Sequence, residues 1–161
     1  MLHAIRSFVF LKFHMLSKRQ IEKIVNEISI KANVQGVLLA GSYVYGCPTE
    51  ESDLDVRIIT SDGSNRDDRN WRKYGKTIEA FYNSPTQVRK YYSEAIKEGD
   101  ETIVNIWRKG RVVYDPNGIV SVLQQEAIDL WERGPETGEW KTRPEYKKKM
   151  EERKRGLHRK A

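Results

Sequence analysis

The strongest constraint on the fold lies between Val34 and Thr60, where two apolar runs flank a short polar loop. The first run, ending VLLA, leads into a Gly41-Ser42 turn; the second opens with Asp53-Leu54-Asp55-Val56. Side chains on a strand alternate between faces, so Asp53 and Asp55 share one side while Leu54 and Val56 share the other and can be buried. Two adjacent carboxylates repel unless a cation or hydrogen bonds compensate them. Hard oxygen ligands on a strand suit Mg²⁺, which binds one or two carboxylates together with substrate phosphates. The upstream Gly-Ser turn offers backbone N–H groups and a hydroxyl to such phosphates. The pairing points to metal-dependent phosphoryl or nucleotidyl transfer.

Each part alone is weak, since most Asp-x-Asp pairs are solvated strand ends. The conjunction is specific: an apolar strand, Gly41-Ser42, ten intervening residues, then Asp-hydrophobic-Asp-hydrophobic running into Arg57-Ile58-Ile59. It resembles the signature of the nucleotidyltransferase superfamily that includes DNA polymerase beta, kanamycin nucleotidyltransferase and the minimal nucleotidyltransferases. Gly46 and Ser52 also match the form found in the small members. The resemblance covers residues 17–140. It implies an α/β (α+β) fold, a small mixed sheet with flanking helices.

The remaining sequence is consistent with one domain. The chain has 161 residues, 38% hydrophobic and 32% charged, enough for a single modest core. No apolar run is long enough to cross a bilayer, so no membrane partner is expected. The one cysteine, Cys47, excludes an internal disulfide and fits a cytoplasmic location. His3, His14 and His158 lie near the termini, which leaves no zinc site and no Cys-His or Ser-His nucleophile system. The net charge of +6 is uneven: residues 141–161 carry ten Lys/Arg against three Glu, leaving residues 1–140 at −1. Nucleic-acid binding is therefore an argument about the tail alone. The expected organisation is an N-terminal extension over 1–16, with Met15 a natural start, the domain over 17–140, and a basic helical or disordered tail over 141–161.

Local signals predict a helix over 18–31, capped by Ser17 and Gln20, and strands over 34–40 and 53–60. Residues 61–70 read as a polar turn. Residues 74–82 alternate as a strand, with Ile78 and Ala80 on one face and Thr77, Glu79 and Phe81 on the other. Ser84-Pro85 starts a helix to Glu98, with Gln87 completing a second capping box. A helix over 100–108, a strand over 111–114 and a helix over 119–131 follow.

The resemblance assigns roles. Glu79 is the third carboxylate, on a strand beside the first two. Asp53, Asp55 and Glu79 would hold two Mg²⁺ ions, Mn²⁺ being an alternative, that clamp the entering and leaving oxygens; Glu79 is also a candidate base. Gly41, Ser42, Gly46 and Ser52 would line the nucleotide site, the phosphates lying at the N-terminus of a short helix. The implied reaction moves a nucleoside monophosphate, AMP from ATP first among them, to a hydroxyl on a small molecule, RNA or protein. One version of that reading is an antitoxin that modifies a HEPN-type toxin; the competing reading is an NTP- or RNA-binding module or an antitoxin-like partner protein with little intrinsic catalysis. A homodimer fits either. Lys76 falls on the face opposite Glu79, which argues against a phosphate role. Tyr43 and Tyr45 are candidates to stack on a base or simply to pack.

Overall fold

The computed structural model describes residues 15–134 together with Pro144, Lys147, Lys148 and Glu151, which are helical and exposed. The expected extension before Met15 and most of the basic tail lie outside the described residues. The elements are α1 (Lys18–Ser29), β1 (Val34–Ala40), α2 (Ser42–Tyr45), β2 (Leu54–Thr60), β3 (Arg66–Lys73), β4 (Lys76–Asn83), α3 (Pro85–Glu98), α4 (Thr102–Lys109), β5 (Arg111–Tyr114) and α5 (Ile119–Arg133).

The five strands form one mixed sheet in the order β3-β4-β2-β1-β5. Strand β1 runs antiparallel to β2 and β5, β3 antiparallel to β4, and β2 parallel to β4. A parallel pair needs a crossover; here the intervening chain forms β3 at the far edge and returns as β4. The expected mixed α/β architecture is the observed one.

Both sheet faces are covered. Helix α1 packs Ile24, Val25 and Ile28 against Val37, Leu39, Leu54, Val56, Ile58, Ile78 and Ala80. Its start follows from the capping box: Gln20 N–H donates to Ser17 Oγ at 3.2 Å, and Ser17 N–H donates to Gln20 Oε1 at 2.8 Å. Helices α3, α4 and α5 cover part of the other face, where Leu38, Ala40 and Ile59 meet Val88, Tyr92, Trp107, Leu123 and Trp131. Tyr92 and Trp107 meet edge to face, and the Tyr92 hydroxyl donates to the Leu123 carbonyl at 2.9 Å. Strand β1, buried from both sides, is accordingly the run of continuous apolar residues VLLA.

Two local expectations need correction. Residues 61–70 are not simply a turn, because the second half opens β3. Its sequence RDDRNWRK has no apolar alternation; Trp71 alone packs on the core. As an edge strand it has one neighbour, and charge on both faces is what such an edge tolerates. At α3, Ser84 Oγ accepts from Gln87 N–H at 3.2 Å, but the Ser84 N–H goes to Asn65 Oδ1 at 3.4 Å instead of back to Gln87. The cap is present and the reciprocal box is not. The remaining elements fall within a few residues of their expected bounds.

Candidate active site

The turn after β1 is set by Gly41, whose φ of 71° and ψ of −160° are open only to glycine. A β-carbon here would lie 3.5 Å from the Asp55 Cβ, so the turn passes directly beside Asp55. It feeds α2, whose first residue is Ser42 and whose end is marked by Gly46 at φ 80°. The Ser42 carbonyl accepts from the Cys47 N–H at 3.1 Å and closes the turn of helix.

Register brings two of the expected acids together. Across the parallel pair Asp55 stands opposite Glu79, and on its other side opposite Ala40 at the end of β1. Asp55 and Glu79 are half-buried on the same face, while their neighbours Leu54, Val56, Ile78 and Ala80 are fully buried on the other. Asp53 lies one residue before β2, exposed, in a groove it shares with Glu50, Glu51, Arg72, Lys76 and Thr77. Among the described residues no three His, Cys, Asp or Glu side chains form a group that could hold a metal ion. Of the three expected acids, strand register sets Asp55 beside Glu79, and Asp53 does not converge with them.

The Asp55 carboxylate is engaged by a cation on its own strand. Arg57 Nε lies 3.1 Å from Asp55 Oδ1 and Arg57 Nη2 donates to Oδ2 at 3.3 Å. The first contact is close but poorly aligned: Oδ1 and Nε are both buried and neither makes a hydrogen bond. Burial pushes the Asp55 carboxyl above its usual range, with Arg57 and then Arg69 pulling it back. A half-buried carboxylate with an unsatisfied oxygen, beside a second carboxylate, is a donor set that fits a hard divalent cation.

Other expected residues divide. Ser42 is half-buried beside the Gly41 turn. Ser52 holds its own loop, its Oγ accepting from the Thr49 N–H at 2.7 Å. Lys76 is buried on the face opposite Glu79, as alternation requires, and its Nζ donates to the Glu50 carbonyl, tying the β1–β2 loop to β4. Tyr43 packs: its hydroxyl accepts from the Leu16 N–H at 3.1 Å. Tyr45 is half exposed, and its hydroxyl is shifted up first by burial and then by Asp55, which puts it at the site.

Three residues at the site were given no role from the sequence. Arg57 stacks 3.8 Å over the Phe81 ring, and Arg69 lies over the same ring at 5.3 Å. Arg57 shares parity with Asp55, so alternation alone puts it on the carboxylate face. Phe81 shares the Glu79 face by alternation, which does not specify a cation over its ring. Arg69 was hidden by the unrecognised β3, at the point where the pairing with β4 slips between Asp68 and Trp71.

Among solved structures, a nucleotidyltransferase-like protein from Exiguobacterium sibiricum 255-15 is similar at 13% identity and a TM-score of 0.49, over 68% of this chain. The chain spans 38% of that protein's length. A toxin-antitoxin with AMP-PNP is similar at 13% identity and a TM-score of 0.45, over 73% of this chain and 89% of the other. A mutant of the toxin-antitoxin MntA-HpeT gives 10% identity and a TM-score of 0.42, over 73% and 88%. No curated protein matches the chain. The nucleotidyltransferase domain family matches by sequence profile from residue 18 to residue 155, through every described helix and strand. The chain belongs to the nucleotidyltransferase domain family.

Proposed function

We propose that this nucleotidyltransferase moves a nucleoside monophosphate, AMP from ATP in the first instance, onto a hydroxyl of a small molecule, RNA or protein. The observation that carries the reading is the pairing of Asp55 with Glu79 across parallel strands, beside the glycine turn that opens α2. Asp53, Asp55 and Glu79 would hold Mg²⁺, with Mn²⁺ as the substitute. The cation supplies charge neutralisation of the phosphates and a lowered pKa for a bound hydroxyl.

The chain's own groups account for the rest. Gly41 lets the backbone come close, because a side chain there would occupy the space next to Asp55. Ser42 and the N–H groups at the start of α2, next to the Gly41 turn, would hold the phosphates, and Gly46 ends that turn with a left-handed residue. Ser52 fixes the loop that delivers Asp53 through its bond to Thr49. Glu79, which makes no hydrogen bond or ion pair with a described residue, is available to take the acceptor proton. Arg57 and Arg69 add positive charge on the same face. Catalysis of this kind is mostly positioning and electrostatics.

A second reading keeps the nucleotide but not the chemistry, as in a binding module or an antitoxin-like partner. It is favoured by the Asp55–Arg57 ion pair and by the three acids not converging. One experiment separates the two. Protein, Mg²⁺ and ATP labelled at the alpha-phosphate are incubated with a fractionated cell extract, with Asp55→Ala in parallel. Label in a fraction with wild type alone supports transfer and identifies the acceptor class; Mg·ATP binding without any label supports the second reading.

A further inference from the structure

The Asp55–Arg57 pair differs in its surroundings from four other ion pairs. Lys18–Glu22, Arg69–Asp67, Lys73–Glu27 and Arg89–Glu126 keep more than a quarter of the exposure of each side chain, whereas Arg57 and Asp55 retain 11% and 21%. A half-buried pair ordinarily persists through well-aligned hydrogen bonds. This one has a single bond of 3.3 Å and leaves Asp55 Oδ1 and Arg57 Nε unsatisfied. The guanidinium has a second seat. It lies 3.8 Å over the Phe81 ring and lines a cavity of about 340 Å³ that carries the carboxylates of Asp67, Glu94, Glu98 and Asp100. A guanidinium so seated can leave the carboxylate by a side-chain rotation, with its stacking and its access to the cavity retained.

We propose that Arg57 is a latch on Asp55: it holds the carboxylate while no divalent cation is bound, and releases it, remaining on Phe81, when one is. The inference rests on the reading of Asp55 as a metal ligand. Three physical consequences follow. Asp55 is partly compensated in the empty site, so Arg57 offsets some of the cost of burying the charge. Metal affinity is lowered by the free energy of breaking the pair, so a metal ion arriving alone binds weakly. A metal ion arriving on a triphosphate brings negative charge that the released Arg57 can face, so the latch favours metal and nucleotide together. Arg57 is thereby a positioning residue that acts through Asp55.

The test is Mn²⁺ binding without nucleotide, read from the electron paramagnetic resonance signal of the free ion and therefore independent of activity. Wild type is compared with Arg57→Met, Arg57→Gln, Asp55→Asn and the Arg57→Met/Asp55→Asn double variant. Two uncharged replacements are used so that one folding failure leaves the other. Arg57→Met or Arg57→Gln should bind Mn²⁺ roughly threefold to tenfold more tightly than wild type, the scale of one ion pair. The gain should vanish in the Asp55→Asn background. Equal or weaker binding by the Arg57 variants, with wild-type binding still dependent on Asp55, overturns the latch alone. A gain that survives in the double variant also overturns it, because the effect would then be net charge. If no protein binds Mn²⁺ through Asp55, with or without ATP, the latch falls together with the functional reading beneath it.

Discussion

The two faces of β2 divide the molecule's tasks between them. On one, Leu54, Val56 and Ile58 are fully buried against α1 and its neighbouring strands. On the other, Asp55 and Arg57 are half-buried, paired with each other and bounded by Glu79 and Phe81 of β4. The residues alternate one by one, so every apolar side chain that anchors the strand also fixes the direction of the charged side chain next to it. Positions set this way are rigid without contacts of their own. The two faces should therefore respond in opposite ways to substitution: one losing stability and keeping chemistry, the other losing chemistry and keeping stability.

The largest effect is expected at Asp55. Asp55→Asn should lower nucleotidyl transfer by about a thousandfold or more, the order of several kcal/mol of lost charge stabilisation. Its stability should change little. Burial raises the folded-state pKa of Asp55, so its contribution to stability is present below the unfolded value of 3.8 and is lost as pH rises through the folded value. At neutral pH the charged form is the disfavoured one, and a neutral Asn avoids that cost. Urea unfolding near neutral pH should then find Asp55→Asn within about 1 kcal/mol of wild type.

Ile58→Ala tests the opposite face. With Ile58 fully buried, the substitution should cost about 2–5 kcal/mol in denaturant unfolding. Transfer per folded molecule should be unchanged. A large loss of transfer in the folded fraction would break the division of faces.

Gly41→Ala falls on the boundary between them. Its φ of 71° makes any side chain strained, at about 1–3 kcal/mol, and the added carbon lies against Asp55. Both stability and transfer should fall, as seen in thermal unfolding and in label transfer.

The smallest effect is expected at Asp115, at the start of α5. Its carboxylate accepts from the N–H groups of Val120 and Ser121 at 2.9 and 2.8 Å. Burial works against the charge, but the bonds from Ser121, Val120 and Gly118 outweigh it and hold the carboxyl below its usual value. That contribution is present above the unfolded value of 3.8 and is lost as pH falls through the lower folded value. Asp115→Asn, which keeps an acceptor oxygen and loses the charge, should cost roughly 0.3–1 kcal/mol near neutral pH and less in acid, with transfer unaffected.

How far the sequence revealed this division depended on where each signal resides. Strands β1, β2 and β4 were legible because burial on one or both faces imposes apolar runs or alternation. The caps at Ser17 and Ser84 were legible because they are local hydrogen bonds between near neighbours. Strand β3 was not, because an edge strand of Arg, Asp and Asn owes its form to pairing with β4, which leaves no period in RDDRNWRK. The same contrast holds at the site. Parity separated Asp55 and Glu79 from their buried neighbours, the family resemblance put Glu79 on a strand beside Asp55, and the parallel register aligned them. That Arg57 would occupy Asp55 depends on a side-chain rotamer and on the ring of Phe81, which chain spacing does not specify.

The most direct test of the central claim is label transfer by the double variant Asp55→Asn/Glu79→Gln from ATP labelled at the alpha-phosphate, run on protein whose unfolding transition has been measured alongside. The account predicts a cooperative transition close to that of wild type and no transfer. Transfer at the wild-type rate by the folded double variant would contradict it, for the chemistry would then lie on some other surface of the molecule.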